Sequence, residues 1–166
     1  MSKFGALVLI IVLLAAIFYV YNLNTSSIGA KIDKLKLKYT IGDSAPPEKI
    51  LLFSQDLSKL AGQAKDEDKK RLEFEAKYWL AAGTAKELAG KLGTGDNYSY
   101  KCTKDAKDMK QNLKEAKESL ESAKQYFELV KGQYSNVDQK DFSSRMSNVE
   151  YSLQLSEDLL FVFCPE

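Results

Sequence analysis

The sequence predicts an all-α protein: an N-terminal single transmembrane helix followed by an antiparallel four-helix bundle. Three observations lead there. Residues Phe4 to Tyr21 are apolar and uncharged. Four later segments repeat apolar residues in alternating threes and fours, the period of a helix that buries one stripe. Gly62, Gly93, Gly95 and Gly132 punctuate those segments. In a chain of 166 residues, we assign 1–22 to a transmembrane anchor, 23–44 to a tether and 45–166 to a helical bundle domain, a common size for one core.

Composition narrows the function. Lys plus Arg number 24 against 23 for Asp plus Glu, so no cationic excess exists to neutralise phosphates, and nucleic acid is not an expected partner. Histidine is absent, which removes the commonest general base at neutral pH and the commonest ligand for zinc, copper and haem iron. We expect neither an enzyme nor a cofactor.

The leading segment FGALVLIIVLLAAIFYVY holds 18 residues. At about 1.5 Å per residue it reaches roughly 27 Å, close to the hydrocarbon thickness of a bilayer. Tyr19 and Tyr21 suit an interfacial aromatic belt and Lys3 the opposite boundary. A cleaved signal peptide has a shorter apolar run with a small-x-small site at its end, so a retained signal-anchor is the preferred reading. The junction Lys3-Phe4-Gly5 before an apolar helix resembles the leader junction of type IV pilins, which implies a filament subunit. Those proteins have a Glu soon after the junction, and Ala6 to Ile10 offers no acid.

Two signals conflict on orientation. Lys31, Lys34, Lys36 and Lys38 outnumber Lys3 around the span, favouring a cytosolic domain by the positive-inside rule. The chain's two cysteines, Cys102 and Cys164, instead lie symmetrically about the turn signal Lys131-Gly132-Gln133-Tyr134-Ser135. A helical hairpin turning there brings both sulfurs together, and a disulfide closing a loop of about 60 residues stabilises by a few kcal/mol in an oxidising compartment. Asn24 and Asn97 begin N-x-Ser/Thr glycosylation sequons. We therefore expect a single-pass membrane protein whose C-terminal domain is extracytoplasmic.

The tether is ambiguous, because Leu35, Leu37, Tyr39 and Ile41 alternate as in a strand while Ile28, Ile32, Leu35 and Tyr39 fit a helix. The first bundle helix presents Ile50, Phe53, Leu57, Leu60 and Ala64, with Ser44 as a candidate N-cap and Pro46 and Pro47 in the first turn. The second runs from Asp66 to Leu92 through Phe74, Tyr78, Ala81, Ala85 and Leu88. Acids at Asp66, Glu67 and Asp68 favour its start, and Gly93 suits its end. Small residues Ala81, Ala82, Gly83, Ala85 and Ala89 allow a neighbour to approach closely. Thr103 is a candidate cap for the third helix, which repeats Ala106, Met109, Leu113, Ala116, Leu120, Ala123, Phe127 and Val130. Ser135 caps the fourth, which continues through Phe142, Met146, Val149, Leu153, Ser156, Leu160 and Phe163 to Pro165. The same period also describes an intermolecular coiled coil, but the breakers favour folding within one chain.

No catalytic or metal-binding constellation emerges. Glu115, Glu118 and Glu121 alternate with Lys114, Lys117 and Lys124, as on a solvated, ion-paired helix face. Tyr98 and Tyr100 mark a possible interaction loop, since loop tyrosines favour contact surfaces. Tyr78 and Trp79 mark a possible ligand pocket, although aromatic residues at helical spacing are usually core. The leading expectation is a non-enzymatic protein-interaction module or accessory subunit of a membrane or envelope complex, bound to lipid through residues 4–21 and to a protein partner. The alternatives are a bundle that binds or senses a small apolar ligand and a pilin-like filament subunit.

Overall fold

The computed structural model describes residues 27–93 and 105–164. The predicted span 4–21, Asn24, Asn97, Tyr98, Tyr100, Cys102 and Thr103 lie outside them. Every element described is helical: α1 (Ile28–Tyr39), α2 (Pro47–Gln63), α3 (Asp66–Leu92), α4 (Ala106–Val130) and α5 (Asn136–Phe163), with a 3-10 turn at Lys131–Gln133. Among the described residues no helix is long and apolar enough to cross a membrane. The chain divides between Lys38 and Tyr39 into two units.

In the first unit, the ambiguous tether is a helix. The Ser27 hydroxyl accepts the Ala30 amide at its start. Leu37, which a strand would turn to the same face as Leu35 and Tyr39, is 81% exposed, whereas Ile32, on the helical stripe, is buried. The 3.6-residue period therefore describes this segment better than the period of two. Thr40 follows in left-handed backbone (φ 54°), a conformation that stops a helix.

The second unit begins earlier than the boundary at residue 45, because Tyr39 packs its ring 6.3 Å from that of Phe53 and donates to Asp56 at 2.6 Å. Ser44 does not cap α2. That helix starts one residue after Pro46 without a side-chain cap, because two prolines leave few N–H groups to satisfy. Its buried stripe is Ile50, Phe53, Leu57 and Ala61, so Leu60 and Ala64 face partly outward.

Only Ala64 and Lys65 separate α2 from α3. Asp66 takes φ 51°, a left-handed value that Asp tolerates better than most residues, and the chain reverses there. Gly93 ends α3 at φ 67°, where glycine has no Cβ to clash. Ser135 caps α5 as expected, its hydroxyl accepting the Asp138 amide at 3.2 Å.

The packing is not a closed square of four helices. One continuous core joins Phe74, Tyr78 and Leu88 of α3 to Leu113, Leu120 and Phe127 of α4 and Phe142, Leu153 and Leu160 of α5. α2 contributes none of its members and packs chiefly against the far side of α3. Ring contacts fix the directions: Phe74, early in α3, meets both Phe127, late in α4, and Phe142, early in α5. Thus α4 runs against α3 and α5, while α3 and α5 run the same way. The central α3 buries Leu72, Glu75, Ala76, Gly83 and Thr84 in addition to the stripe legible in sequence. At Gly83 an added Cβ would lie 2.9 Å from Leu51 Cδ2 and 3.1 Å from Ile50 Cγ2, so the missing side chain lets α2 approach.

Candidate interaction surface

The residues proposed as a ligand pocket are packed. Tyr78 is 3% exposed and meets Phe74, Trp79 and Phe142 edge to face or stacked, at centroid distances of 6.3, 4.9 and 5.7 Å. Such pairs add about 0.5–1.5 kcal/mol each beyond the area they bury. Trp79 bridges this cluster to α2 through Phe53 at 5.6 Å. Burial pushes the Tyr78 hydroxyl up to about 12, so it stays protonated at neutral pH.

Beneath the rings lies a polar group that sequence reasoning missed. Glu75 is 1% exposed. Its carboxylate accepts the Trp79 indole N–H at 2.9 Å and the Tyr134 hydroxyl at 3.2 Å. The Arg71 guanidinium sits 4.8 Å from the Tyr134 ring centroid. Burial, reinforced by the Glu75 charge, raises the Tyr134 hydroxyl well above its ordinary value. A buried carboxylate persists only when its lone pairs are occupied, and two aromatic donors occupy them here. The signal available in sequence was the spacing of four from Arg71 to Glu75 to Trp79, which runs along one face of α3.

The charged faces of α4 and α5 form cross-helix ion pairs. Lys117 meets Glu157 at 2.5 Å and Lys124 meets Glu150 at 2.8 Å. The Lys117 hydrogen bond holds Glu157 below its ordinary value. Glu115 accepts Gln111 and Glu121 accepts Lys124, so these acids serve the helix surface. No group of three or more potential metal-ligating side chains occurs among the described residues.

Two surfaces stand out from this ion-paired background. The first is a groove between α4 and α5 of about 440 Å³. Leu113 and Leu160 form its floor, Phe161 one wall, and Lys110, Lys114 and the Lys117–Glu157 pair its polar edge. Phe161 is 77% exposed.

The second surface is the outer face of α5. Its buried side contains Phe142, Met146, Leu153 and Leu160. On the opposite side, Val137, Tyr151 and Val162 are 76%, 71% and 68% exposed. At about 100° per residue these three fall within a strip roughly 40° wide, directly away from the core stripe. Ser144 lies on the strip and Asn148 about 20° beyond its edge, both exposed, with half-buried Leu155 between Tyr151 and Val162. Most surface helices are apolar on one side; α5 is apolar on two.

Cys164 is buried at the end of α5. Because α4 and α5 run oppositely, this end lies beside the start of α4, where Lys110 and Leu113 share the groove with Leu160 and Phe161. No family model, curated protein or solved structure matches this chain.

Proposed function

We propose that this protein is a non-enzymatic docking module: a helical bundle tethered to a membrane through residues 4–21, facing the extracytoplasmic side, that binds a protein partner through the outer face of α5. The observation behind this reading is the second apolar strip of that helix, since Val137, Tyr151 and Val162 face water without contributing to the core. Exposed aromatic and aliphatic side chains aligned on one rigid element are the usual core of a protein interface.

The apolar run Phe4 to Tyr21 supports the tether. A disulfide at the buried Cys164 would fit an oxidising location. Its expected partner is Cys102, the only other cysteine, four residues before the first turn of α4.

The test combines membrane extraction with surface docking. Full-length protein should remain in the membrane fraction after a carbonate wash, and intact cells should show no maleimide labelling of Cys102 or Cys164 until reductant is added. Affinity purification should retain a stoichiometric partner with the wild type and lose it with Tyr151→Asp or Val162→Asp. Retention of the partner by both variants would refute the α5 surface, and release of the chain by carbonate would refute the tether.

A second reading, binding of a small amphiphile, is supported by the groove between α4 and α5 rather than by Tyr78 and Trp79. Its volume falls in the range of small-ligand sites, and Lys110 and Lys114 stand beside an apolar floor. Dodecanoate should bind the full chain and lose affinity with Lys110→Gln/Lys114→Gln, while dodecanol should be indifferent to that change. Absence of saturable binding below micelle formation would dismiss this reading.

A further inference from the structure

The positions on the outer strip of α5 are symmetric about one point, with a valine at each end. Val137 and Val162 are equidistant from the point between Val149 and Glu150, as are Ser144 and Leu155, and Asn148 and Tyr151. Lys140 and Asp158 lie on the same edge of the strip at nearly equal distances from that point, and both are exposed. We propose that the partner of this face is a second copy of the chain, paired antiparallel through α5 about a two-fold axis passing near residues 149–150. The inference rests on the reading of this face as a docking surface.

A two-fold interface uses the same patch on both subunits, so each contact must occur twice with its members exchanged. In the antiparallel arrangement Val137 of each copy faces Val162 of the other. The small Ser144 faces the larger Leu155, and Asn148 packs beside Tyr151 near the axis. Lys140 and Asp158 meet across the interface twice. A parallel arrangement would put the two copies of this edge on opposite sides of the interface with Lys140 about 27 Å from Asp158 along the helix, so neither attraction could form.

The strip from Val137 to Val162 extends about 38 Å. A single helix pair of this length buries less than the roughly 1,200–2,000 Å² of a standard stable interface. The dimer is therefore weak in dilute solution and gains from confinement, because a shared membrane raises the effective concentration of the two copies.

The test is cross-linking of the full-length chain in its membrane. Asn148→Cys places a thiol beside the axis, where its symmetry mate is within reach of a short bis-maleimide. Ser143→Cys, also exposed, lies about 140° around the same helix from Asn148 and serves as the control. Both changes leave the core intact. Asn148→Cys should give covalent dimer and Ser143→Cys little. Adding either Lys140→Glu or Asp158→Lys to Asn148→Cys should reduce the yield about fivefold, because each turns both symmetry-related attractions into repulsions. Combining both reversals should restore it, a result that disturbed folding would not produce. Equal yields from Asn148→Cys and Ser143→Cys, indifference to a single reversal, or no recovery in the combined variant would overturn the proposal. If that happens while Tyr151→Asp still releases a different protein, the docking surface stands and only the identity of its partner falls.

Discussion

Enlarging Gly83 separates the attachment of α2 from the stability of the remaining bundle. An alanine Cβ would lie 2.9 Å from Leu51 Cδ2 and 3.1 Å from both Ile50 Cγ2 and Leu51 Cγ, against a comfortable carbon contact of about 3.5–4.0 Å. Leu51 is only half-buried and its terminal methyl can turn away, at about 0.5–1.5 kcal/mol if it leaves its rotamer well. Replacing a mid-helix glycine by alanine returns about 1 kcal/mol of helix propensity. These effects nearly cancel, so Gly83→Ala should lie within about 1 kcal/mol of the wild type. Gly83→Leu adds three further carbons where Ile50 is 5% exposed and cannot withdraw. Overpacking of this kind costs about 1–3 kcal/mol, and leucine restores most of the same propensity. The expected net loss is about 1–2 kcal/mol. Urea denaturation followed by circular dichroism measures that loss, and hydrogen exchange locates it. Protection should fall in residues 47–63 and persist in α4 and the inner face of α5. An unchanged midpoint for Gly83→Leu, or protection lost evenly through α4 and α5, would refute the view that α2 is held through this contact.

Further outcomes follow from other parts of the structure. Glu75→Gln replaces one acceptor oxygen with an N–H₂ donor facing either the Trp79 N–H or the Tyr134 O–H. A buried donor left without an acceptor costs about 1–3 kcal/mol, so this variant should be destabilised by that amount with altered Trp79 fluorescence; unchanged stability would show that relief from burying the charge offsets the loss. Stability should be flat with respect to Tyr78 and Tyr134 below pH 10 and fall as pH rises toward 12. The folded chain keeps the Tyr78 proton that the unfolded chain releases, and a rise of about two pKa units corresponds to about 3 kcal/mol. Tyr78→Phe should flatten this decline in pH-dependent urea titrations, and an unaltered slope would assign it elsewhere. Ser135→Ala removes the acceptor for the Asp138 amide and should cost about 1 kcal/mol, read as a lower thermal midpoint.

Helix positions were legible because three of the four bundle helices each have a clear apolar stripe. Asp66 to Leu92 was read directly, since an acidic first turn and a terminal glycine mark both ends. The arrangement was less legible. The period identifies a stripe on each helix but not which stripes face each other, and α3 buries two sides, one formed by Phe74, Tyr78 and Leu88 and another by Leu72, Ala76 and Gly83. Small and polar residues on the second side weaken its signal. Glu75 was obscured because one acid among the many charged residues of α3 resembles a surface residue until its two aromatic donors are placed beside it. The outer strip of α5 was readable from the intervals between Val137, Tyr151 and Val162, but the core stripe supplies the stronger repeat on the same helix. Helical spacing at Tyr78 and Trp79 does not by itself distinguish aromatic side chains lining a space from those filling one.

The one-sided attachment of α2 also determines how the protein responds to mechanical load. A pull arriving from residue 46 reaches Pro47 first, at the end of a helix held chiefly by α3 and, at Phe53 and Asp56, by Tyr39. Turns of α2 can then detach one after another, each breaking its own contacts with α3 or Tyr39, as in a zipper opened from its end. The three-helix core beyond is reached only after that strip has peeled away. Under tension applied through the segment before α2, that helix would lengthen the connection at low force while α5 kept its shape.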